Sequence, residues 1–173
     1  MTPILTANAF DLITHSADQT ARLGEQLGRL LRPGMVVCLQ GDLGSGKTCL
    51  TQGIGRGLDI GGTINSPTFV FINEYAPNDT GPHLYHVDLY RIVDWAETLS
   101  LGLEDYIYGD GITVIEWCDR AQEVMPPDRL WITLTYLDES KRSLLFDAHG
   151  DAYIAMLDAL KTALLGTPPS ADR

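Results

Sequence analysis

Apolar and polar positions follow two different periods along this chain. Leu23, Leu27, Leu30 and Leu31 fall on one face of a 3.6-residue repeat, and Ser16-Ala17-Asp18-Gln19 ahead of them reads as a capping box. Pro33-Gly34 ends that predicted helix. Met35 to Gln40, MVVCLQ, is a short apolar run bounded by glycines, which fits a buried strand. A second helix is expected from Gly46 to about Gly55 or Gly57. Thr68 to Tyr75 (TFVFINEY) and His83 to Tyr90 (HLYHVDLY) are aromatic-rich and β-prone, and the turn residues APNDTGP between them predict an antiparallel hairpin. Asp94 to Leu101 reads as a short helix and Gly111 to Trp117 (GITVIEW) as a second buried strand. From Arg129 to Leu137, Leu130, Ile132, Leu134 and Tyr136 alternate with Trp131, Thr133 and Thr135, which predicts a half-buried strand. Ser143 to Ala148 is expected to pair with it through Asp138-Glu139-Ser140. Residues 151–165 read as an amphipathic helix, and residues 166–173, GTPPSADR, as a flexible tail.

These elements predict one three-layer α/β domain over residues 1–165, its mixed sheet built on a parallel core with added antiparallel strands. With 173 residues there is length for a full hydrophobic core, but no repeat and no linker to a second domain. The hydrophobic and charged fractions, 45% and 20%, exclude a fibre or a disordered chain. No apolar run approaches the ~20 residues that span a bilayer. The opening residues MTPILTANAFDLITH lack a basic region and a cleavage site, so no secretory signal is expected. Cys38, Cys49 and Cys118 form no CxxC pair and read as small buried hydrophobes in a reducing, cytoplasmic setting.

Charge narrows the functional classes. Residues 88–119 hold eight acids against one base, Arg91, so −7 of the formal net charge of −11 lies in that stretch. With three lysines in all, the chain is a poor direct ligand for a polyphosphate backbone. The acidic stretch is either a solvated face or a surface for a basic partner or a metal.

The chemistry is carried by Gly41-Asp42-Leu43-Gly44-Ser45-Gly46-Lys47-Thr48, a full match to the P-loop pattern. Average composition puts the chance of such a match in a chain of this length at roughly one in a hundred. The glycines let backbone N–H groups turn inward around phosphate oxygens, and the following helix adds its positive end. Lys47 is expected to reach the β and γ phosphates and the Thr48 hydroxyl to ligate Mg²⁺. The fold class is therefore a P-loop NTPase domain. Asp88 and Glu116 each follow an apolar strand, where an acid needs a cation. One could hold Mg²⁺ and the other orient the attacking water, and the residues alone do not fix which does which. Asn65-Ser66-Pro67-Thr68 places two hydroxyls on a loop stiffened by proline, where a γ-phosphate could be sensed. His83 and His86 read as satisfied strand histidines rather than metal ligands, since His83, His86 and Asp88 do not all share one face.

A GTPase would carry NKxD and DxxG, but Asp88 is followed by Leu89-Tyr90-Arg91. A small-molecule kinase, the alternative reading, would want an arginine-rich lid, and the nine arginines are scattered. A small ATPase serving a larger assembly is left. The chain resembles the TsaE (formerly YjeE) family of P-loop ATPases through GDLGSGKT (41–48), SPTFVFINEY (66–75), LYHVDLYR (84–91), GLEDY (102–106) and ITVIEWCDRA (112–121). That resemblance implies an ATPase, weak alone, that binds ATP and Mg²⁺ and works with TsaB and TsaD. Their complex attaches a threonylcarbamoyl group to the adenosine beside the tRNA anticodon, so tRNA is met only indirectly. TsaE-like proteins do not perform the transfer; their hydrolysis resets the complex between turnovers. Carried over by motif, Gly41, Asp42, Leu43, Gly44, Ser45, Gly46, Lys47, Thr48 and Cys49 bind the nucleotide. Thr48, Asp88 and Glu116 face the metal, and Lys47, Thr68 and Glu116 serve catalysis. Thr68 belongs to a switch-like loop, and Trp117 is expected near the site. Arg56, Arg91 and Arg120 stay unranked as a catalytic arginine.

Overall fold

The computed structural model describes residues 6–67 and 70–166. In chain order these form β1 (Ala9–Thr14), α1 (Ala17–Leu30), β2 (Val36–Gln40), α2 (Lys47–Gly57), β3 (Ile72–Tyr75) and β4 (Leu84–Asp88). Then come α3 (Glu97–Ser100), α4 (Leu103–Ile107), β5 (Ile112–Glu116), a tight 3-10 segment Cys118–Val124, β6 (Arg129–Tyr136), β7 (Arg142–His149) and α5 (Asp151–Leu165). Among the described residues the strands make one seven-stranded sheet in the order β1-β7-β6-β2-β5-β4-β3. β6, β2, β5 and β4 run parallel, and β1, β7 and β3 add on antiparallel.

The run MVVCLQ is apolar throughout because both faces of β2 are covered. Val37 and Leu39 join Leu23 and Leu27 of α1, Leu50 and Ile54 of α2 and Leu157 and Leu160 of α5 in one cluster. Val36 and Cys38 point the other way, into a smaller cluster with Val87, Leu103, Ile107, Ile115 and Met125. This is helix on sheet on helix, the expected three layers. The expected starts of α1, α2 and α5 are also found. The Ser16 side chain accepts from the Gln19 N–H at 3.1 Å, although Gln19 Oε1 returns to the N–H of His15 rather than Ser16.

One packing device positions the helix after the glycine loop. α1 carries Gly24 and Gly28, α2 carries Gly53 and Gly57, and the two pairs face each other. A Cβ on any of the four would run into a backbone carbonyl oxygen of the other helix. The helices therefore meet backbone to backbone, a closeness that only residues without side chains permit.

Several expectations are corrected. β1 has no counterpart in the pattern reading, being an edge strand whose Ile13 is 52% exposed. The hairpin forms, but β3 begins at Ile72, after Phe71 turns the chain at φ +60°. Thr68 and Phe69 lie outside the described residues, as do residues 167–173 of the expected tail. Tyr136 is 51% exposed instead of facing inward, because β6 runs past the helices that cover Leu130, Ile132 and Leu134. The expected helix over 94–101 is confined to α3, and a second short helix, α4, follows it. No helix among the described residues is long and apolar enough to cross a membrane.

Candidate functional site

The glycine loop leaves the C-terminal end of β2 at the centre of the sheet and enters α2 at Gly46, whose φ of +104° only glycine adopts without strain. A Cβ on Gly41 would meet the Leu134 carbonyl oxygen at 2.5 Å and Ser45 Oγ at 2.6 Å. The start of the loop is thus packed tightly between β6 and the Ser45 side chain, with no room for a Cβ. Asp42, Leu43 and Gly44 are exposed at its tip, with Leu43 81% exposed. Ser45 and Lys47 are buried.

Lys47 is held at three points: Nζ donates to the carbonyls of Gly41 (2.6 Å) and Asp42 (2.9 Å) and to Ser45 Oγ (3.3 Å). Its charge also sits 4.2 Å from the Trp117 ring centre, a cation–π contact. Burial pulls the Lys47 ammonium below its ordinary pKa, while Glu116, Asp88, Asp119 and Asp42 pull the other way. Trp117 adopts φ +59°, an outlier for so bulky a residue, directly after β5. Its ring packs on Tyr90 at 4.9 Å, and Arg120 caps both rings at 5.1 and 5.3 Å.

Parallel pairing puts Asp88 of β4 abreast of Glu116 of β5, beside the end of β2. Both are buried, 7% and 3% exposed, so each needs donors. Asp88 accepts from Ser66 Oγ and from the Tyr90 N–H, both at 2.8 Å. Glu116 Oε1 accepts from Thr48 Oγ1 at 3.0 Å and contacts His86 Nε2 at 2.8 Å. The structure therefore gathers Lys47, Thr48, Asp88, Glu116 and Trp117 at one end of the sheet. Thr68 lies outside the described residues, and the hydroxyl of its loop that reaches a carboxylate is that of Ser66.

Of the three arginines left open, Arg120 is at the rim, and Arg56 lies in the last turn of α2, away from the loop. Arg91 is exposed just past Tyr90. Cys49 is half-buried, donates to the Ala17 carbonyl at 3.2 Å, and is pushed up in pKa by burial. Cys38 and Cys118 are buried among apolar residues, as small hydrophobes would be. His86 is fully buried and bonded, as expected of a strand histidine, but its partner is the site carboxylate. Alternation along β4 puts His86 on the same face as Asp88, and the register of β4 on β5 brings it to Glu116.

Two clefts flank the loop. One of about 210 Å³ is lined by Gln40, Gly41, Asp42, Trp117, Asp119 and Thr133. The other, about 110 Å³, is lined by Thr20, Gly46, Cys49, Ser140 and Arg142. A larger cavity of about 510 Å³, bordered by Met35, Tyr108, Pro127 and Tyr153, lies at the opposite end of β2 and takes in none of these residues. The donor set at the loop suits a hard cation that keeps its waters and shares phosphate oxygens: one hydroxyl and two carboxylates, all oxygen. Among the described residues no group of three His, Cys, Asp or Glu side chains forms a ready metal cage.

Known proteins share much of this sequence and fold. The family model described as threonylcarbamoyl adenosine biosynthesis protein TsaE matches residues 14–144. A Bacillus subtilis protein named tRNA threonylcarbamoyladenosine biosynthesis protein TsaE is 37% identical over 147 residues, covering 85% of this chain and 90% of its own length. A protein of the same name from a Nostoc species is 46% identical over 129 residues, covering 72% and 77%. Among solved structures, Bacillus subtilis YdiB superposes with a TM-score of 0.74 at 31% identity, over 90% of this chain and 95% of that one.

Proposed function

Because the chain belongs to the TsaE family of threonylcarbamoyl adenosine biosynthesis proteins, we propose that it is a Mg²⁺-dependent ATPase of that tRNA modification. It acts with TsaB- and TsaD-like proteins in the cytoplasm, supporting repeated turnovers without performing the transfer. The observation that carries the reading is the convergence on one P-loop of a buried lysine and two buried carboxylates from adjacent parallel strands. A loop that only held phosphate would have no use for Asp88 and Glu116, which cost desolvation.

The residues at hand divide the work as follows. Backbone N–H groups from Gly41 to Cys49 hold the phosphates, and Lys47 leaves its loop carbonyls to meet the β and γ charge. Thr48 and Asp88 would hold Mg²⁺, with Glu116 beside them, and the ion when bound neutralises charge on the phosphates. Glu116 orients the attacking water and accepts its proton, a role suited to a buried carboxylate already fixed by two contacts. The loop bearing Ser66 and Thr68 reports the γ-phosphate through Asp88, to which Ser66 is bonded. Trp117 and Arg120 wall the site, and the exposed acidic residues of 94–119 face the partner proteins.

A reconstituted tRNA modification assay, run for several turnovers with and without the chain, tests this. Product continues to accumulate beyond one turnover only when the chain and ATP are both present. Equal yields without the chain would refute the assignment. Phosphate appearing on a third small molecule would favour the kinase reading instead.

A further inference from the structure

We propose that His86 is a positioning residue for Glu116, and that its Nε2–H fixes the one carboxylate oxygen that must stay still while the other works. The proposal rests on the hydrolytic reading of Glu116 given above.

His86 lies mid-strand in β4, fully buried, opposite Val114 of β5. Toward the start of the strand its neighbours on that face are apolar: Leu84, Ile112 and Val114 all belong to the cluster under α1 and α2. An imidazole is a poor filler for such a place, and its other nitrogen shows the cost, since Nδ1 is buried without a hydrogen-bond partner. A leucine would fill the volume and leave no orphan. The feature that repays the histidine is its reach forward along the sheet to Glu116 Oε1 at 2.8 Å.

The direction of that bond follows from the partners: a carboxylate oxygen accepts, so Nε2 carries the hydrogen. Thr48 Oγ1 donates to the same Oε1. Both bonds therefore fall on one oxygen, and Oε2 carries neither of them. The two donors differ in what holds them. Thr48 lies in the first turn of α2 beside the glycine loop, the proposed seat of phosphate and metal, whereas His86 is set in the middle of β4. When Thr48 turns its oxygen toward the ion, His86 still pins Oε1. The carboxylate is then kept from rotating, and Oε2 keeps its aim at the water. The arrangement matches outer partners of metal sites generally, whose loss costs about 10–100-fold in affinity or activity.

The test compares His86→Leu, which removes the donor, with His86→Gln, which restores one near the Nε2 position. Expected for His86→Leu are a kcat of ATP hydrolysis about 10–100-fold lower, an unchanged ATP KM, and a native melting profile. His86→Gln recovers most of the loss. Nitrogen NMR of the wild-type chain finds Nε2 protonated. Equal activity of His86→Leu and wild type overturns the proposal, as does equal impairment of both folded variants, or an Nε2 without a proton. If the wild type binds ATP but hydrolyses none, alone or with its partners, the hydrolytic reading has failed. His86 is then judged by the NMR tautomer and by the Mg²⁺ dependence of ATP affinity in calorimetry. His86→Leu weakens that dependence and His86→Gln keeps it; identical behaviour in all three chains sinks the positioning role.

Discussion

Replacing Gly53 by alanine sets two effects of opposite sign against each other in the same residue. Alanine favours a helix by about 1 kcal/mol over glycine, so propensity alone predicts a more stable protein. The added methyl, however, would overlap the carbonyl oxygen of Ala21, with the Ala21 carbonyl carbon at 2.9 Å and Gly24 Cα at 3.0 Å. Carbon contacts relax at about 3.5–4.0 Å, so α1 and α2 must part by about 0.5–1 Å, a gap that forfeits a quarter to a half of each dispersion contact across it. Leu23, Leu27, Leu50 and Ile54 are all buried beside that seam. The obstacle is backbone and cannot rotate aside, so the overpacking cost sits near the upper end of its range, about 3 kcal/mol. Net destabilisation is then about 2 kcal/mol, a fall of about 4–8 °C in Tm for a chain of this size. Gly55→Ala in the same helix is the control. Its methyl meets the end of the Ile64 side chain, which can turn away, and the next atom, Ile64 Cγ1, is 3.4 Å off. That variant should lie within about 1 kcal/mol of wild type. Urea and thermal unfolding of the three chains decide the matter. Gly53→Ala as stable as wild type, or Gly55→Ala equally damaged, would refute the close-crossing argument.

Lys47→Ala should abolish tight ATP binding in calorimetry, because the β/γ charge loses its counter-ion; unchanged affinity would remove the phosphate site. Glu116→Gln should keep nucleotide binding and lose most phosphate release, about 100-fold or more, and an unaltered rate would reassign the water. Tyr153→Phe should cost about 1–3 kcal/mol in denaturant unfolding, since the buried Val36 N–H donates to the Tyr153 hydroxyl at 2.7 Å. Burial also raises the Tyr153 pKa above its ordinary 10.0. The folded chain keeps that proton to higher pH than the unfolded chain, so this stabilisation is full below pH 10.0 and is lost as pH climbs toward the raised value. Stability curves of wild type and Tyr153→Phe across that window should converge on the alkaline side.

Local patterns made most of the sheet legible, and the exceptions share a cause. β2, β5 and β6 declare themselves because they are covered by helices on one or both faces, which imposes a continuous or alternating apolar code. β1 is held by a ladder to β7 across most of the chain, from Ala9 opposite Asp147 to Thr14 opposite Arg142, and no local period reports such a partner. Phe71 shows the reverse failure: aromatic and β-prone, it stands outside the strand at a positive φ that β propensity does not predict. At the site, the glycine spacing pointed to Lys47 and Thr48, and the strand-end acids pointed to Asp88 and Glu116. What sequence could not measure was register. That Asp88 and Glu116 stand abreast, and that His86 reaches Glu116, follows only from how β4 lies on β5.

The strand order also dictates when this molecule can become functional during synthesis. β2 lies between β5 and β6, so the strand that carries the glycine loop gains its neighbours only from residues 112–136. β1, the first strand to leave the ribosome, waits for β7, nearly the last. Such non-local pairings are paid for late in folding. A nascent chain halted after α2 therefore contains the whole glycine motif while lacking both carboxylates and every neighbouring strand of β2. The proposed nucleotide site is consequently complete only in the finished chain, and a product truncated after α2 should show no tight ATP binding in calorimetry.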